Sequence, residues 1–129
     1  MDTALVRSAP YFPVADVAAA ASYYERVLGF RTEYAAGSPP QFAIVSRDGL
    51  ALMFRLVQDP SLICPNEKQG GTWDAFFWVR NVRGLFEELK DKGATVVYGP
   101  VVQTAYNMEE FAVRDLYGYV LGFGEPVAG

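Results

Sequence analysis

Two stretches decide how this chain is read: Ala9-Pro-Tyr-Phe-Pro-Val14-Ala-Asp16-Val17 and Asp74-Ala-Phe-Phe-Trp-Val79-Arg-Asn81-Val82. Each is a short apolar run, then a residue that favours helix N-termini (Asp16 or Asn81), then apolar residues at helical spacing. The two copies lie 65 residues apart at Val14 and Val79, and 64 apart at the glycines that end the helical patterns, Gly29 and Gly93. Extended runs ending in Tyr34 and Tyr98 follow, again 64 apart. Asp48-Gly49 and Tyr117-Gly118 each sit between two extended segments, which is a hairpin signal. The chain is therefore a structural repeat of strand, helix and three strands.

The first helix places Val17, Ala20, Ala21, Tyr24 and Leu28 on one face, and the second does the same with Val82, Leu85, Phe86 and Leu89. Asp16 accepts from the free N–H groups of the first turn, and Gly29 supplies the left-handed residue that closes the helix. Beyond the two opening runs, strands are expected over 30–34, 41–46, 50–57, 72–79, 95–98, 106–114 and 119–124, with Pro10 and Pro13 keeping the first one short or at an edge. The expected organisation is one domain over 1–129. Module one covers about 5–57, a proline- and glycine-containing loop 58–71, and module two about 72–126.

Composition narrows the function. The chain has 129 residues, 51% of them hydrophobic and 20% charged, which suits one globular domain and excludes a disordered chain. No stretch approaches the ~20 apolar residues of a membrane span, and no signal-peptide pattern precedes Pro10. Eleven basic against fifteen acidic residues, with the basic ones scattered, argue against a nucleic-acid partner. The single cysteine, Cys64, forms no internal disulfide and favours a cytoplasmic location. It precedes Pro65 in a loop without an evident base and reads as non-catalytic. There is no histidine at all. Triads built on histidine and histidine-ligated metal sites are thereby excluded.

The repeat, with Phe12-Pro-Val-Ala-Asp16 leading to Tyr23-Tyr-Glu-Arg-Val-Leu-Gly-Phe30, and Glu110-Phe-Ala-Val-Arg-Asp115 leading to Gly118-Tyr-Val-Leu-Gly-Phe-Gly-Glu125, resembles the vicinal oxygen chelate superfamily. That superfamily includes type I glyoxalase, extradiol dioxygenases, fosfomycin resistance enzymes and bleomycin resistance proteins. The resemblance covers nearly the whole chain. It implies an α+β fold of two tandem βαβββ modules, their mixed sheets curled around a cavity with the helices outside. Catalytic members hold a divalent metal with four side chains, two per module. Transferred by position, those ligands fall on Ala9, Met53, Asp74 and Gly122, of which only Asp74 is a plausible ligand. The expectation is thus no metal, no cofactor and no catalytic residue. The nearest likeness is to the metal-free, bleomycin-resistance-like branch.

Strand alternation predicts the lining of such a cavity. Asp74, Phe76 and Trp78 share a face, opposite Ala75, Phe77 and Val79; Ala51, Met53 and Arg55 share another. Phe111 and Val113 face the core, which turns Tyr106, Met108 and Glu110 inward, while Tyr11 lies on the face of Ala9. Val120, Gly122 and Gly124 give room rather than chemistry. The candidate ligand contacts are therefore Trp78, Asp74, Phe76, Tyr11, Met53, Arg55, Tyr106, Met108 and Glu110. Trp78 and Asp74, about 13 Å apart along one strand, suit a planar ligand with a cationic end held at the acid. On that reading Asp74→Asn weakens cationic ligands with little effect on stability. The competing role for Asp74 is a structural pair with Arg55, and Trp73 reads equally as an interface, lid or ligand residue.

Three functions remain open on this basis. The first is sequestration of a small aromatic or cationic organic molecule in the cleft of a cytoplasmic homodimer. The second is a glyoxalase-type lyase or a dioxygenase with an atypical metal site. The third is a dimeric interaction module whose cavity is filled by its own side chains.

Overall fold

The computed structural model describes residues 2–127. The repeat is realised as β1 (Tyr11–Val14), α1 (Val17–Arg26), β2 (Arg31–Ala36), β3 (Phe42–Arg47) and β4 (Leu50–Leu56), then β5 (Ala75–Trp78), α2 (Val82–Asp91), β6 (Thr95–Gln103), β7 (Met108–Arg114) and β8 (Val120–Pro126). The chain divides into two compact units, one ending at Ile63 and the other starting at Cys64. The division falls inside the expected loop, which contains two short 3-10 turns, Pro60–Leu62 and Asn66–Gln69. No helix is long and apolar enough to cross a membrane.

Both units carry a four-stranded mixed sheet of the same order, β1-β4-β3-β2 and β5-β8-β7-β6, and neither sheet closes on itself. In each, the first strand pairs in parallel with the last, and the other pairings are antiparallel. β1 is an edge strand, which accommodates Pro13. The β3–β4 turn is the two-residue Asp48-Gly49, both with positive φ as the twist of a tight hairpin demands. The β7–β8 connection is longer than a two-residue turn. There Asp115 Oδ1 accepts from the backbone N–H groups of Tyr117 and Tyr119, each at 2.9 Å.

The two helices start as their cap residues dictate. Asp16 Oδ1 accepts from Ala19 N at 2.9 Å, and Asn81 Oδ1 from Gly84 N at 3.2 Å. Glu125 adds a second cap from β8, its two oxygens accepting from Asn81 N and Val82 N at 3.2 and 2.8 Å. A carboxylate is favoured there by the partial positive charge of the helix N-terminus. The helical stretches end at Arg26 and Asp91, ahead of Gly29 and Gly93, which hold the positive φ that redirects the chain.

Each helix covers one face of its own sheet. In the first unit Val17, Ala20, Ala21, Tyr24 and Leu28 are all buried, and the Tyr24 ring meets Phe54 edge-on at 4.9 Å. In the second, Val82 and Leu89 are buried while Leu85 and Phe86 are half-buried. The core there is a run of rings: Phe86 edge-on to Phe111 at 5.4 Å, Phe111 stacked on Phe123 at 5.2 Å, and Phe123 on Phe77 at 5.4 Å. Phe77, Phe111 and Phe123 alternate with the residues of the opposite face, and that opposite face holds the candidate site.

Strand boundaries shift from expectation by one or two residues in most places, and three of the differences bear on the site. β5 covers 75–78 rather than 72–79, with backbone bonds to β8 flanking it at both ends, Asp74 N to Val120 O and Val79 N to Gly124 O, each at 2.8 Å. β6 continues to Gln103, since pairing resumes at Val101↔Glu110 after an irregularity at Gly99-Pro100. Gly99 has φ +86°, and a β-carbon on it would collide with the Glu110 carbonyl oxygen, so only glycine lets β6 lie this close to β7. β7 begins at Met108, which leaves Tyr106 on the turn that precedes it.

Candidate ligand-binding site

The face of the second sheet turned away from α2 is built in two cross-strand rows. One runs from Tyr98 on β6 through Ala112 on β7 and Gly122 on β8 to Phe76 on β5; the next runs from Glu110 through Gly124 to Trp78. The middle of both rows is small (Ala112, Gly122, Gly124), and the ends are aromatic or acidic. The floor is therefore low between taller walls.

Trp73 and Phe76 lean over that floor. A β-carbon placed on Gly122 would stand 2.6 Å from both rings, and one on Gly124 would stand 3.0 Å from Phe76 Cζ and from Glu110 Cβ. The expectation that Gly122 simply gives room is corrected: glycine is needed there because two rings fill the space above it. Trp73 and Phe76 meet edge-on at 4.7 Å, and Phe76 meets Trp78 edge-on at 5.1 Å. Trp78 ends this series and is 71% exposed.

Glu110 is fully buried and is the polar centre of the face. Its Oε1 accepts from the Tyr98 hydroxyl at 3.0 Å and from the Tyr106 hydroxyl at 2.5 Å, while Trp73 Nε1 donates to the Tyr98 oxygen at 2.9 Å. Its Oε2 has no hydrogen-bond partner among the described residues. Both tyrosines have their hydroxyls pushed up to about 12, chiefly by desolvation and further by the adjacent Glu110 carboxylate; the Trp73 bond only partly offsets this at Tyr98. Tyr106 is half exposed, so its ring reaches from the surface to a carboxylate that solvent does not touch.

Asp74 has a different role from the one its position suggested. Its Oδ1 accepts from Asn66 N at 2.9 Å and its Oδ2 from Val120 N at 2.8 Å. Both oxygens thus pin the loop and the start of β8 to the start of β5. The backbone amides take the place of the expected cationic ligand group, and equally of an Arg55 pair. The same loop is tied to β7 by Arg114, whose Nε and Nη2 donate to the two oxygens of Glu67 at 2.8 and 2.9 Å. Cys64 is exposed and free.

Of the nine residues singled out in the sequence, the structure places Phe76, Trp78, Met108 and Glu110 on one face of the second sheet, with Tyr106 reaching it from the turn. Asp74 borders it as a structural acid. Tyr11, Met53 and Arg55 belong to the first unit's sheet. There Tyr11 pairs with Met53, the Arg55 guanidinium lies over the Tyr11 ring at 5.9 Å, and Phe42 meets Tyr11 edge-on at 6.2 Å. One site residue escaped the sequence reading, Tyr98, whereas Trp73 is among the interface, lid or ligand residues that the sequence suggests. Tyr98 was visible only as the end of an extended run, and nothing in the strand pattern pointed Trp73 back over Gly122.

The four positions to which the superfamily's metal ligands transfer offer few donors. Ala9 offers no donor and Met53 only a soft thioether, Asp74 is engaged at both oxygens, and the space above Gly122 holds two rings. Among the described residues there is no group of three or more Cys, Asp or Glu that could hold a metal ion.

Two βαβββ units with parallel first-to-last strand pairing, helices on one face and a residue-lined opposite face define a glyoxalase-type fold. The chain belongs to the Glyoxalase/Bleomycin resistance protein/Dioxygenase superfamily, whose sequence model matches residues 6–123. Solved structures share its fold. TioX from Micromonospora sp. ML1 is 23% identical with a TM-score of 0.75, covering 95% of this chain and 99% of its own. UcmS2 is 22% identical with a TM-score of 0.72, covering 95% and 98%. A glyoxalase/bleomycin resistance protein/dioxygenase from Nocardioides is 15% identical with a TM-score of 0.68, covering 100% and 88%. Among curated proteins none matches.

Proposed function

We propose that the protein is a metal-free binder of a small planar aromatic molecule, which it holds against the open face of the second sheet without transforming it. The observation that carries this reading is Trp78. A large indole is kept 71% exposed at the end of a series of edge-on rings, beside a floor of glycines and alanine. An indole in such a place supplies a rigid apolar surface at low entropic cost, and aromatic partners gain about 0.5–1.5 kcal/mol beyond the area they bury. The donor-poor metal-ligand positions support binding over metal-assisted turnover.

The rings over Gly122 favour a second reading, in which part of the face is closed by the protein's own side chains. One titration separates the two. Acridine and related planar heteroaromatics should quench tryptophan emission saturably with the wild type and much less with Trp78→Ala. A wild-type protein that binds no member of such a panel supports the closed face instead.

A further inference from the structure

The unpartnered oxygen of Glu110 points to the class of ligand. Both hydroxyls that reach this carboxylate donate to Oε1, and Oε2, which is buried, has no donor among the described residues. A carboxylate has acceptor sites for about four hydrogen bonds, and a buried oxygen without any is among the costliest polar defects a core can contain. Such a group in a native fold calls for an explanation, and a partner from outside the chain is one. None of the described ion pairs involves Glu110, so neither lysine nor arginine neutralises it. The missing partner is therefore a donor, and a positively charged one is the best complement.

We propose that Glu110 Oε2 is the anchor for a protonated nitrogen bearing at least one N–H, carried by the planar ligand that lies along Trp78. This rests on the aromatic-platform reading and adds the ligand's charge and its donor to it. Glu110 and Trp78 are both register partners of Gly124, on the strands to either side of it. Two inter-strand spacings separate them, about 10 Å, with the Phe76 ring over the glycine between. A two- or three-ring cation of that length would lie on the outer side of the Phe76 ring, its face toward the indole and its N–H edge reaching the acid where Tyr106 turns away. Tyr106 is the residue that moves: its half-exposed ring bonds Oε1 from a turn, so rotating it outward opens the path while Tyr98 continues to hold the carboxylate.

The test uses 9-aminoacridine as the cationic probe and acridine as the neutral one, at mildly alkaline pH, titrated into the intact protein by calorimetry and fluorescence. The wild type should bind the cation more tightly than the neutral ring by roughly ten- to a hundred-fold, the range for a hydrogen bond to a charged group. Glu110→Gln should bring the two affinities together, chiefly by weakening the cation, while Tyr106→Phe retains the preference. Acridine binding with no preference for the cation in the wild type overturns the anchor and leaves the platform standing. A folded Glu110→Gln protein with the wild-type preference overturns the anchor as well. Binding of neither probe to the wild type overturns both.

Discussion

Trp78 and Glu110 are paired in register with the same residue, Gly124, one through the parallel β5–β8 ladder and the other through the antiparallel β7–β8 ladder. They stand on the same face of the sheet, with β8 between their strands and the Phe76 ring over its Gly124. One is largely exposed and the other wholly buried, so an aromatic surface and an acid stand side by side with opposite access to water. Replacing Gly124 by a larger residue would push into both Phe76 and Glu110.

Trp78→Ala separates platform from core. A core tryptophan cut to alanine costs about 3–5 kcal/mol. An exposed one with a single edge-on contact to Phe76 should cost about 1 kcal/mol. Urea denaturation should therefore show a small loss for Trp78→Ala, while affinity for acridine falls by about 1–2 kcal/mol. A loss of core size with unchanged acridine affinity would remove Trp78 from the site.

Asp74 should prove structural. Asp74→Ala deletes two acceptors and leaves the buried Val120 N–H without a partner while the exposed Asn66 N–H turns to water, at a cost of about 1–3 kcal/mol. Asp74→Asn keeps one acceptor and should lose about half as much. This reverses the expectation drawn from strand position alone, that the acid serves a ligand and tolerates the amide. Denaturation midpoints of the two variants decide it, and a wild-type midpoint for Asp74→Ala would contradict the structural role.

The tyrosines of the site set a limit at high pH. Tyr98 and Tyr106 titrate near about 12 in the folded protein, above the ordinary phenol value of 10.0. Between those values the unfolded chain has released protons that the folded one retains, so stability is full below about pH 10 and falls as pH rises toward 12. Tyrosinate absorbance should show Tyr98 and Tyr106 titrating late, and the double variant Tyr98→Phe, Tyr106→Phe should shrink the late phase by two tyrosines.

The opposite limit lies at Glu33, whose carboxyl is lowered from 4.5 to about 2, first by the bonds it accepts from Arg7 and then by Ser46. Its contribution is present above pH 4.5 and is lost as pH falls toward 2. Arg7→Gln should flatten the acid limb of the stability curve in that window. The pair is solvent-exposed, so the change should be small and should shrink further in high salt.

Gly122→Ala tests the ring-filled floor. The new β-carbon would meet Phe76 and Trp73 at 2.6 Å, so the rings must move. Overpacking of this kind costs about 1–3 kcal/mol, and displacing Trp73 also strains its bond to Tyr98. Thermal unfolding and a shift in tryptophan emission should change together. An unperturbed protein would show that the rings give way freely.

The repeat, both caps, the hairpin sites and the division of each strand into a helix-facing and an open face were legible in the sequence. Each is set locally, by the 3.6- and 2-residue periods of apolar side chains and by residues such as Asp16, Asn81 and Gly49 whose backbone preferences act over one turn. The alternation of Phe76 and Trp78 against Phe77, and of Glu110 against Phe111, needed nothing more. What the open face does with its polar groups was decided only by the tertiary structure. Asp74 and Glu110 look alike in sequence, two acids on inward-facing strand positions. One reaches the backbone amides of Asn66 and Val120 and is satisfied at both oxygens; the other meets two phenols on one oxygen and nothing on the second. Hydrogen-bond satisfaction depends on which donors a long-range pairing brings within about 3 Å, and strand periodicity carries no information about that distance.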